Sequence, residues 1–319
     1  MTEIASLYGP VTEDIPLVGE RLLHLEGVRE PLLTETLSYL FQTSGKRVRP
    51  ALVLLCGKLG RYERDRLITL AASLEVVHFA SLVHDDTIDQ ALSRHGLATI
   101  SAVWDSKVAI LVGDFLFAQS AYLAALLDSV PVMSLLSETV MAMVSGEIRQ
   151  YTAVRNRTID EADYFGRIAG KTASLFSMCC SGAGIISHQS EQEVEALRRY
   201  GTNLGLAFQI ADDVLDIVGD EDTLGKPAGG DLRQGTVTLP SILFLQDRAP
   251  NDPLRRAAEQ RENVDAVVTA IRESDAPVRA IQRAEEYASL ARGELSMFPP
   301  SEAKEALLGL TESVVARSH

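Results

Sequence analysis

Apolar residues recur at spacings of three and four along most of this chain, which is the spacing of one face of an α-helix. Matching stretches fill roughly 65–85, 107–128, 132–151 and 301–317. Another follows Ser190, which forms a capping-box pattern with Glu193. Its apolar face comprises Val194, Leu197, Leu204, Phe208, Ala211 and Leu215. No run of alternating strand residues with hairpin turns interrupts the pattern. The sequence therefore predicts an all-α fold, a single-domain bundle of long helices over residues 1–319.

A second capping box is predicted from Thr158 to Glu161, at the start of another long helix. Residues 219–240, "GDEDTLGKPAGGDLRQGTVTLP", depart from the helical spacing and hold five glycines and two prolines. We expect a loop there. Loops of this length in compact proteins are usually either disordered or lids over a functional site. A cluster of acidic residues, Asp212, Asp213 and Asp216, lies just before this loop and favours a lid.

The composition excludes some classes of function. A formal net charge of −14 argues against binding nucleic acid through its phosphates. The most apolar stretch, residues 109–127, contains Asp114 and Gln119, so we expect no transmembrane segment. The acidic start of the chain does not resemble a signal peptide. The three cysteines, Cys56, Cys179 and Cys180, lack metal-ligand spacing and fit a reducing cytoplasm.

Two aspartate clusters with identical spacing are the most informative feature of the chain. They are Asp85, Asp86 and Asp89, and Asp212, Asp213 and Asp216. Residues four apart share a helix face, and like charges so close together repel one another. Each cluster is either a solvated helix end or a cation site. Mg²⁺ prefers carboxylate and phosphate oxygens, and the repetition favours two facing helices that hold metal ions and a diphosphate.

Basic and polar side chains elsewhere are candidate ligands for phosphate oxygens. They are Lys46, Arg47 and Arg49 in "GKRVRP", Arg94 in "SRHG", Lys171 and Thr172 in "GKTASL", and Lys226 in the glycine-rich segment. Lys171 is expected in mid-helix, where a charge is unusual unless it points into a cavity. His78 lies two helical turns before Asp85 on the same face. A solvated helix start is the alternative for "GKRVRP", and a packed core histidine is the alternative for His78.

Over roughly residues 40–245 these motifs, in this order, resemble the trans-prenyltransferase family. These are the all-trans polyprenyl diphosphate synthases of the type I isoprenoid synthase fold, and the chain is most similar to the medium- and long-chain members. The motifs are "GKRVRP", "HDDTID" with "RHG", "GDFLFA", "GEIRQ", "GKTA", "FQIADDVLD", "LGKP" and "GGDLRQGTVTLP". The resemblance implies helices around a central cavity and a homodimer. It also implies a transferase of isoprenoid biosynthesis that condenses isopentenyl diphosphate head-to-tail with an allylic prenyl diphosphate.

The resemblance implies a role for each candidate residue. Three Mg²⁺ ions per active site would bind chiefly through Asp85, Asp89 and Asp212, with Asp86, Asp213 and Asp216 as further or supporting ligands. The allylic diphosphate would be held by Arg94, Lys171 and Lys226, with Thr172 and Gln209 beside it. Isopentenyl diphosphate would be held by Lys46, Arg49 and His78, with His95 in contact. The catalytic residues would be Asp85, Asp89, Asp212, Lys171 and Arg94.

Three positions depart from the usual family pattern. Ser44 stands where a second glycine is common, and His95 stands where a second arginine commonly follows Arg94. Thr236 stands where shorter-chain members often have lysine and longer-chain members often have an uncharged residue.

The helix before Asp85 is expected to wall the tunnel that receives the growing chain. One and two turns upstream lie Ala80 and Ser81, then Val76 and Val77. In the resembled family, bulky residues at such positions stop elongation and small ones permit it. Burying each CH₂ contributes about 0.8 kcal/mol, so an open tunnel favours a product of roughly six to nine isoprene units. The alternative interpretation is that these small residues only permit close helix packing.

Other functions stay open at this point. A short-chain synthase that makes geranylgeranyl or farnesyl diphosphate would carry the same motifs, and so would a catalytic subunit that needs a small partner protein. A terpene cyclase of the same fold fits less well. Such cyclases typically replace the second aspartate cluster with an Asn/Ser/Glu-type motif and lack a site like "GKRVRP".

Overall fold

The computed structural model describes residues 8–42, 46–94, 96–219 and 228–316, and most of them are helical. The α-helices are α1 (Ile15–Leu23), α2 (Pro31–Phe41), α3 (Val48–Gly57), α4 (Arg64–Ile88), α5 (Ile100–Val103), α6 (Ser106–Ala125), α7 (Val130–Asn156), α8 (Glu161–Ile168), α9 (Ser174–Ile186), α10 (Glu191–Val218), α11 (Gly230–Gln234), α12 (Leu239–Gln246), α13 (Pro253–Gln260), α14 (Val264–Arg272), α15 (Ala276–Glu294) and α16 (Glu302–Ala316). A π-helical turn, Ala169–Ala173, joins α8 to α9. The β structure of the described ranges is one antiparallel pair, β1 (Ser93–Arg94) with β2 (Leu97–Ala98). The predicted all-α class is confirmed.

The chain divides into two compact units. Unit 1 takes in the described residues of Met1–Val140, Met178–Arg198 and Leu295–Leu310. Unit 2 takes in those of Met141–Ser177, Arg199–Glu294 and Thr311–His319. A single domain over residues 1–319 stays a prediction.

Helix α4 forms the core of unit 1. All residues from Leu67 to Val77 are buried, and α3 and α6 pack against the helix. A helix that is apolar all round is stable only when it is surrounded by protein or lipid. Because the last turn of α4 carries the first aspartate cluster, burial of the helix fixes the position of those carboxylates.

Two of the described helices, α4 and α6, are long and apolar enough to cross a membrane by length and composition alone. The most apolar stretch of α4 is 78% buried within the protein, and that of α6 is 44% buried. Core helices of water-soluble proteins commonly meet the same criterion, so this is weak evidence for a membrane span.

The capping box at the start of α10 is confirmed. The Ser190 backbone N donates to Glu193 Oε2 at 2.8 Å, and the Glu193 backbone N donates to Ser190 Oγ at 3.3 Å. The hydrogen bonds from Ser190 lower the pKa of Glu193, which keeps the acceptor ionised.

The second predicted capping box is wrong. Helix α8 is capped by Asp160, which accepts from the Asp163 backbone N at 2.7 Å. Thr158 lies before the cap, and its backbone N donates to Ala153 O at the end of α7. Aspartate caps helices better than threonine, so the carboxylate two positions later takes the role.

The described part of the glycine-rich segment, residues 219 and 228–240, is partly helical, which corrects the expectation of a loop there. Helix α11 lies within it, and α12 begins at Leu239. Gly229 and Gly235 flank α11 with φ of +77° and +87°, a region that residues with a Cβ rarely adopt. Lys226 lies outside the described residues.

Candidate active site

The first aspartate cluster divides into inward and outward carboxylates. Asp86 is buried, and Arg94 Nε donates to its Oδ1 at 2.8 Å. Asp85 is half-buried and Asp89, at the end of α4, is exposed. Arg94 lies in β1, eight residues after Asp86 in the sequence. One carboxylate is therefore held by the protein, while two lie at the surface. His95 lies outside the described residues.

In the basic segment "GKRVRP", which leads into α3, the side chain of Arg47 is largely buried. Arg47 Nη1 pairs with Glu75 Oε1 at 2.8 Å, and both side chains are largely buried. The Arg47 guanidinium lies 5.7 Å from the centre of the Phe79 ring. Lys46 is exposed, and Arg49 and His78 are half-buried. Glu75 was missed by the sequence analysis, although a lone glutamate within the apolar run "LEVVHFA" is a signal for a buried partner.

The positions predicted to set product length lie in the core of unit 1. Val76, Val77 and Ala80 are fully buried. Ser81 is half-buried, and its Oγ donates to His78 O at 2.8 Å. The tunnel itself stays a prediction.

The second aspartate cluster shows a similar division. Asp212 is exposed, whereas Asp213 and Asp216 are buried. Tyr164 Oη donates to Asp213 Oδ2 at 2.7 Å, and Gln209 Nε2 donates to Asp213 Oδ1 at 2.8 Å. One carboxylate again lies at the surface while its neighbours are held by protein donors.

Asp216 anchors the return of the glycine-rich segment. Its Oδ2 accepts from the Asp231 backbone N at 3.1 Å, and its carbonyl accepts from the Gly229 backbone N at 2.7 Å. Arg167 Nη2 donates to Val237 O at 2.9 Å. Residues 229–237 are thereby attached to helices α8 and α10. Asp231 was given no role by the sequence analysis.

Burial raises the pKa of Asp213 well above its ordinary value, and repulsion from Asp231 adds to the effect. Burial likewise raises the pKa of Tyr164, so the phenol stays protonated and donates its hydrogen bond at neutral pH. A carboxyl whose pKa is higher in the folded than in the unfolded state adds most to the free energy of unfolding when the pH is below its unfolded-state pKa. This contribution is lost as the pH rises through the folded-state pKa.

Lys171 and Thr172 lie in the π-helical turn, a feature frequent at functional sites. Gly146, in α7, and Gly170, in the turn, permit the backbones of these two elements to approach each other closely. A Cβ on Gly146 would lie 2.5 Å from Lys171 N, and a Cβ on Gly170 would lie 2.7 Å from Ala142 O. Lys171 Nζ pairs with Glu147 Oε2 at 2.5 Å. This ion pair joins the π-helical turn to α7.

The structure brings together two predicted neighbours, since Thr172 Oγ1 donates to Gln209 Oε1 at 2.7 Å. Glu147 and Tyr164 were missed as functional residues. Glu147 stands in "GEIRQ", which the sequence analysis quoted without a role, and nothing local marks Tyr164 as a partner of Asp213.

In the described part of the chain, no three His, Cys, Asp or Glu side chains lie close enough to hold a metal ion by themselves. Mg²⁺ typically takes one or two carboxylates together with water and substrate phosphates rather than a closed protein cage. Exposed or half-buried carboxylates at Asp85, Asp89 and Asp212 fit that mode of binding. Their roles as ligands stay predictions.

Relatives of similar length share this sequence from end to end. A prenyl transferase of Synechocystis sp. is 38% identical over 100% of both chains. The heptaprenyl diphosphate synthase component 2 of Bacillus subtilis is 34% identical over 97% of this chain and 90% of the relative. The octaprenyl diphosphate synthase of Haemophilus influenzae is 34% identical over 99% of this chain and 97% of the relative.

Solved structures share the fold. The heptaprenyl diphosphate synthase of Staphylococcus aureus has a TM-score of 0.91 and 33% identity over 97% of this chain and 99% of its own. A polyprenyl synthase of Caulobacter crescentus, complexed with calcium and isoprenyl diphosphate, has a TM-score of 0.90 and 32% identity over 99% and 98%. The geranylgeranyl pyrophosphate synthetase of Pyrococcus horikoshii has a TM-score of 0.89 and 29% identity over 97% and 98%.

These likenesses place the molecule among the all-α enzymes of the isoprenoid synthase fold. The family model for polyprenyl synthetase matches residues 30–274, and the chain belongs to that family. The predicted family, and with it the predicted class of enzyme, a prenyltransferase, are confirmed.

The pKa of Asp213 makes a prediction for the metal-free protein. Asp213→Asn keeps the size of the side chain and removes its charge, so its melting temperature relative to the parent should increase as the pH rises from about 4 to about 8. Differential scanning calorimetry in a chelating buffer measures this difference.

Asp212→Asn, at the exposed neighbour, is the matched control for the loss of one charge from the cluster. A pH trend of equal size in both variants would assign the effect to cluster repulsion rather than to burial of Asp213. A difference that stays constant with pH would contradict the raised pKa.

Proposed function

We propose that this protein condenses isopentenyl diphosphate head-to-tail with an allylic prenyl diphosphate, giving an all-trans polyprenyl diphosphate of medium to long chain length. The observation that carries the proposal is the shared design of the two aspartate clusters. In each, buried carboxylates are held by protein donors, and one or two others lie at the surface. Membership of the polyprenyl synthetase family supports it.

A divalent cation is part of this proposal, and a structural relative complexed with calcium and isoprenyl diphosphate supports it. We favour Mg²⁺, as three ions, with Asp85, Asp89 and Asp212 as the principal ligands and Asp86, Asp213 and Asp216 as supporting residues. Bound Mg²⁺ would withdraw charge from the diphosphate leaving group.

The diphosphates are bound by fixed cations in this account. Arg94 and Lys171 hold the allylic diphosphate, with Thr172 and Gln209 beside them. Their acidic partners in the structure are Asp86 and Glu147. Lys46, Arg49 and His78 hold isopentenyl diphosphate. Lys226 and His95 are assigned to the allylic diphosphate and to isopentenyl diphosphate, respectively, on the sequence resemblance.

The reaction follows from where the charge develops. The allylic C–O bond breaks and its electron pair leaves with the diphosphate, whose charge Arg94 and Lys171 stabilise. Apolar side chains keep water away from the carbocation. The alkene of isopentenyl diphosphate then forms the new C–C bond, and a proton passes to the departing diphosphate.

Product length is proposed from two lines of support. The relatives include proteins named heptaprenyl and octaprenyl diphosphate synthase. The residues one and two turns before Asp85 are small or moderate in size, namely Ala80, Ser81, Val76 and Val77. A short-chain synthase is the alternative, because a solved relative is named a geranylgeranyl pyrophosphate synthetase.

A homodimer is the proposed assembly. Leu111 and Tyr122 of helix α6, and Leu126 directly after it, are exposed to solvent and are spaced by eleven and four residues. Helix α7 presents Met141, Val144, Ile148 and Tyr151 in the same manner. Large exposed apolar stripes typically mark protein–protein contacts. A small partner protein is the second candidate, since two relatives are named component 2 of a synthase.

The cytoplasm is the proposed compartment. Cys56, Cys179 and Cys180 are buried and unpaired with one another as disulfides, which suits a reducing environment. Cell fractionation tests the location, and recovery of the protein in an oxidising extracytoplasmic fraction would refute it.

The reaction predicts a defined product. Purified protein with Mg²⁺, isopentenyl diphosphate and an allylic primer should give an all-trans polyprenyl diphosphate, identified by mass spectrometry. Asp85→Ala should lower turnover about 100-fold or more, the scale expected when a group at a developing charge is lost. Asp65→Ala, at the exposed first turn of the same helix, is the control and should keep turnover. Equal activity in both variants would remove the role of Asp85.

Ala80→Phe should shorten the product to three or four isoprene units while condensation continues. Val76→Phe is the matched comparison. It lies four residues, about 6 Å, further from Asp85, so it should stop the chain about one unit later. Circular dichroism checks that both variants fold. Products of parental length from Ala80→Phe would show that this side chain does not line the tunnel.

The purified chain should sediment at twice 34.7 kDa and make product without a partner. Leu111→Asp should shift it towards the monomer, because a charge then replaces an apolar contact. Leu290→Asp, at a comparably exposed leucine of α15, should leave the mass unchanged. A monomer that becomes active only when cell extract is added would favour the second candidate.

A further inference from the structure

The hydroxyl of Tyr164 begins a chain of three buried or half-buried hydrogen bonds in unit 2. Tyr164 Oη donates to Asp213 Oδ2 at 2.7 Å, and Gln209 Nε2 donates to Asp213 Oδ1 at 2.8 Å. Thr172 Oγ1 donates to Gln209 Oε1 at 2.7 Å. These hydrogen bonds therefore connect helix α8 to the π-helical turn that carries Lys171.

Each link fixes the direction of the next. The carboxyl oxygen of Asp213 accepts from Gln209 Nε2, so this contact directs the amide nitrogen of Gln209 towards Asp213. The amide oxygen of Gln209 then points to Thr172 and directs its hydroxyl. Tyr164 is only 1% exposed, so its hydroxyl is a buried donor to Asp213. Without that donor, one oxygen of Asp213 loses its partner and the carboxylate can rotate.

We propose that Tyr164 is a positioning residue for the allylic diphosphate pocket, acting through Asp213 and Gln209 on Thr172. The inference rests on the proposed function, which places Thr172 beside that diphosphate. Tyr164 touches no substrate in this account. Its contribution is to hold the Thr172 hydroxyl in one orientation before the diphosphate binds, which lowers the free energy of ordering the pocket.

The protein contains a second buried tyrosine that serves as a matched control. Tyr200 is also fully buried, and its Oη lies 3.2 Å from Thr311 Oγ1. It belongs to the same helix as Asp213 and the same unit. Tyr200→Phe thus removes a buried tyrosine hydroxyl from unit 2 without touching the chain that ends at Thr172. A general effect of losing a buried hydrogen bond appears in both variants, and a positioning effect appears only in Tyr164→Phe.

The experiment compares Tyr164→Phe, Tyr200→Phe and the parent as full chains. For Tyr164→Phe we expect KM for the allylic substrate to rise about tenfold, which is about the effect of losing one buried hydrogen bond. KM for isopentenyl diphosphate should stay within about twofold of the parent. Titration calorimetry with pyrophosphate and Mg²⁺ provides a readout without turnover, and its affinity should fall by a similar factor. Tyr200→Phe should match the parent in all three measurements.

The inference is overturned if Tyr164→Phe and Tyr200→Phe give the same kinetic constants and the same pyrophosphate affinity. If Tyr164→Phe does not fold, Thr172→Val tests the other end of the chain and should show the same selective rise in KM. Parental behaviour of that variant would overturn the inference. A parent protein that makes no product and binds no pyrophosphate would instead refute the proposed function, and this inference with it.

Discussion

Repulsion among three aspartates within little more than one helical turn is the constraint on which the candidate site depends. Like charges so placed destabilise a helix, and the fold offsets this by treating the three differently. Asp86 is buried against Arg94, and Asp213 is buried against Tyr164 and Gln209. In each cluster the remaining surface carboxylates are thereby held on a helix whose own position is fixed by packing. A cation that bound at these carboxylates would reduce the repulsion between them.

Basic groups of the site also have acidic partners. Arg94 pairs with Asp86 and Lys171 pairs with Glu147, and Arg47, next to Lys46, pairs with Glu75. A largely buried charge without a partner is strongly disfavoured, so a cation aimed at an anionic substrate needs a counter-ion while the substrate is absent.

Much of the fold could be predicted from local pattern. Helical periodicity identified the long helices, and the capping box at Ser190 was read correctly because both of its partners lie within four residues. The box at Thr158 failed because Asp160, a stronger cap, stands two positions later. The sequence predicts a loop over the glycine-rich segment and misses α11, because that helix is only five residues long and is bounded by glycines in the left-handed region.

The site was predictable where motifs carry it and not where contacts span the sequence. The aspartates, Lys171, Thr172 and Gln209 stand in short motifs. Glu75 and Glu147 act through partners 28 and 24 positions away, and Tyr164 acts through one 49 positions away. No local periodicity encodes such pairs, and only tertiary packing brings them together. The close approach of α7 to the π-helical turn at Gly146 and Gly170 is likewise a tertiary contact that local periodicity does not encode.

The central claim is that the surface carboxylates bind a divalent metal that in turn holds a diphosphate. Thermal melts of the parent with Mg²⁺ alone, pyrophosphate alone and both together test it most directly. A ligand that binds the native state raises the melting temperature, so the account predicts a much larger rise with both than the sum of the two separate effects. An equal rise with pyrophosphate in the presence of a chelator would contradict it.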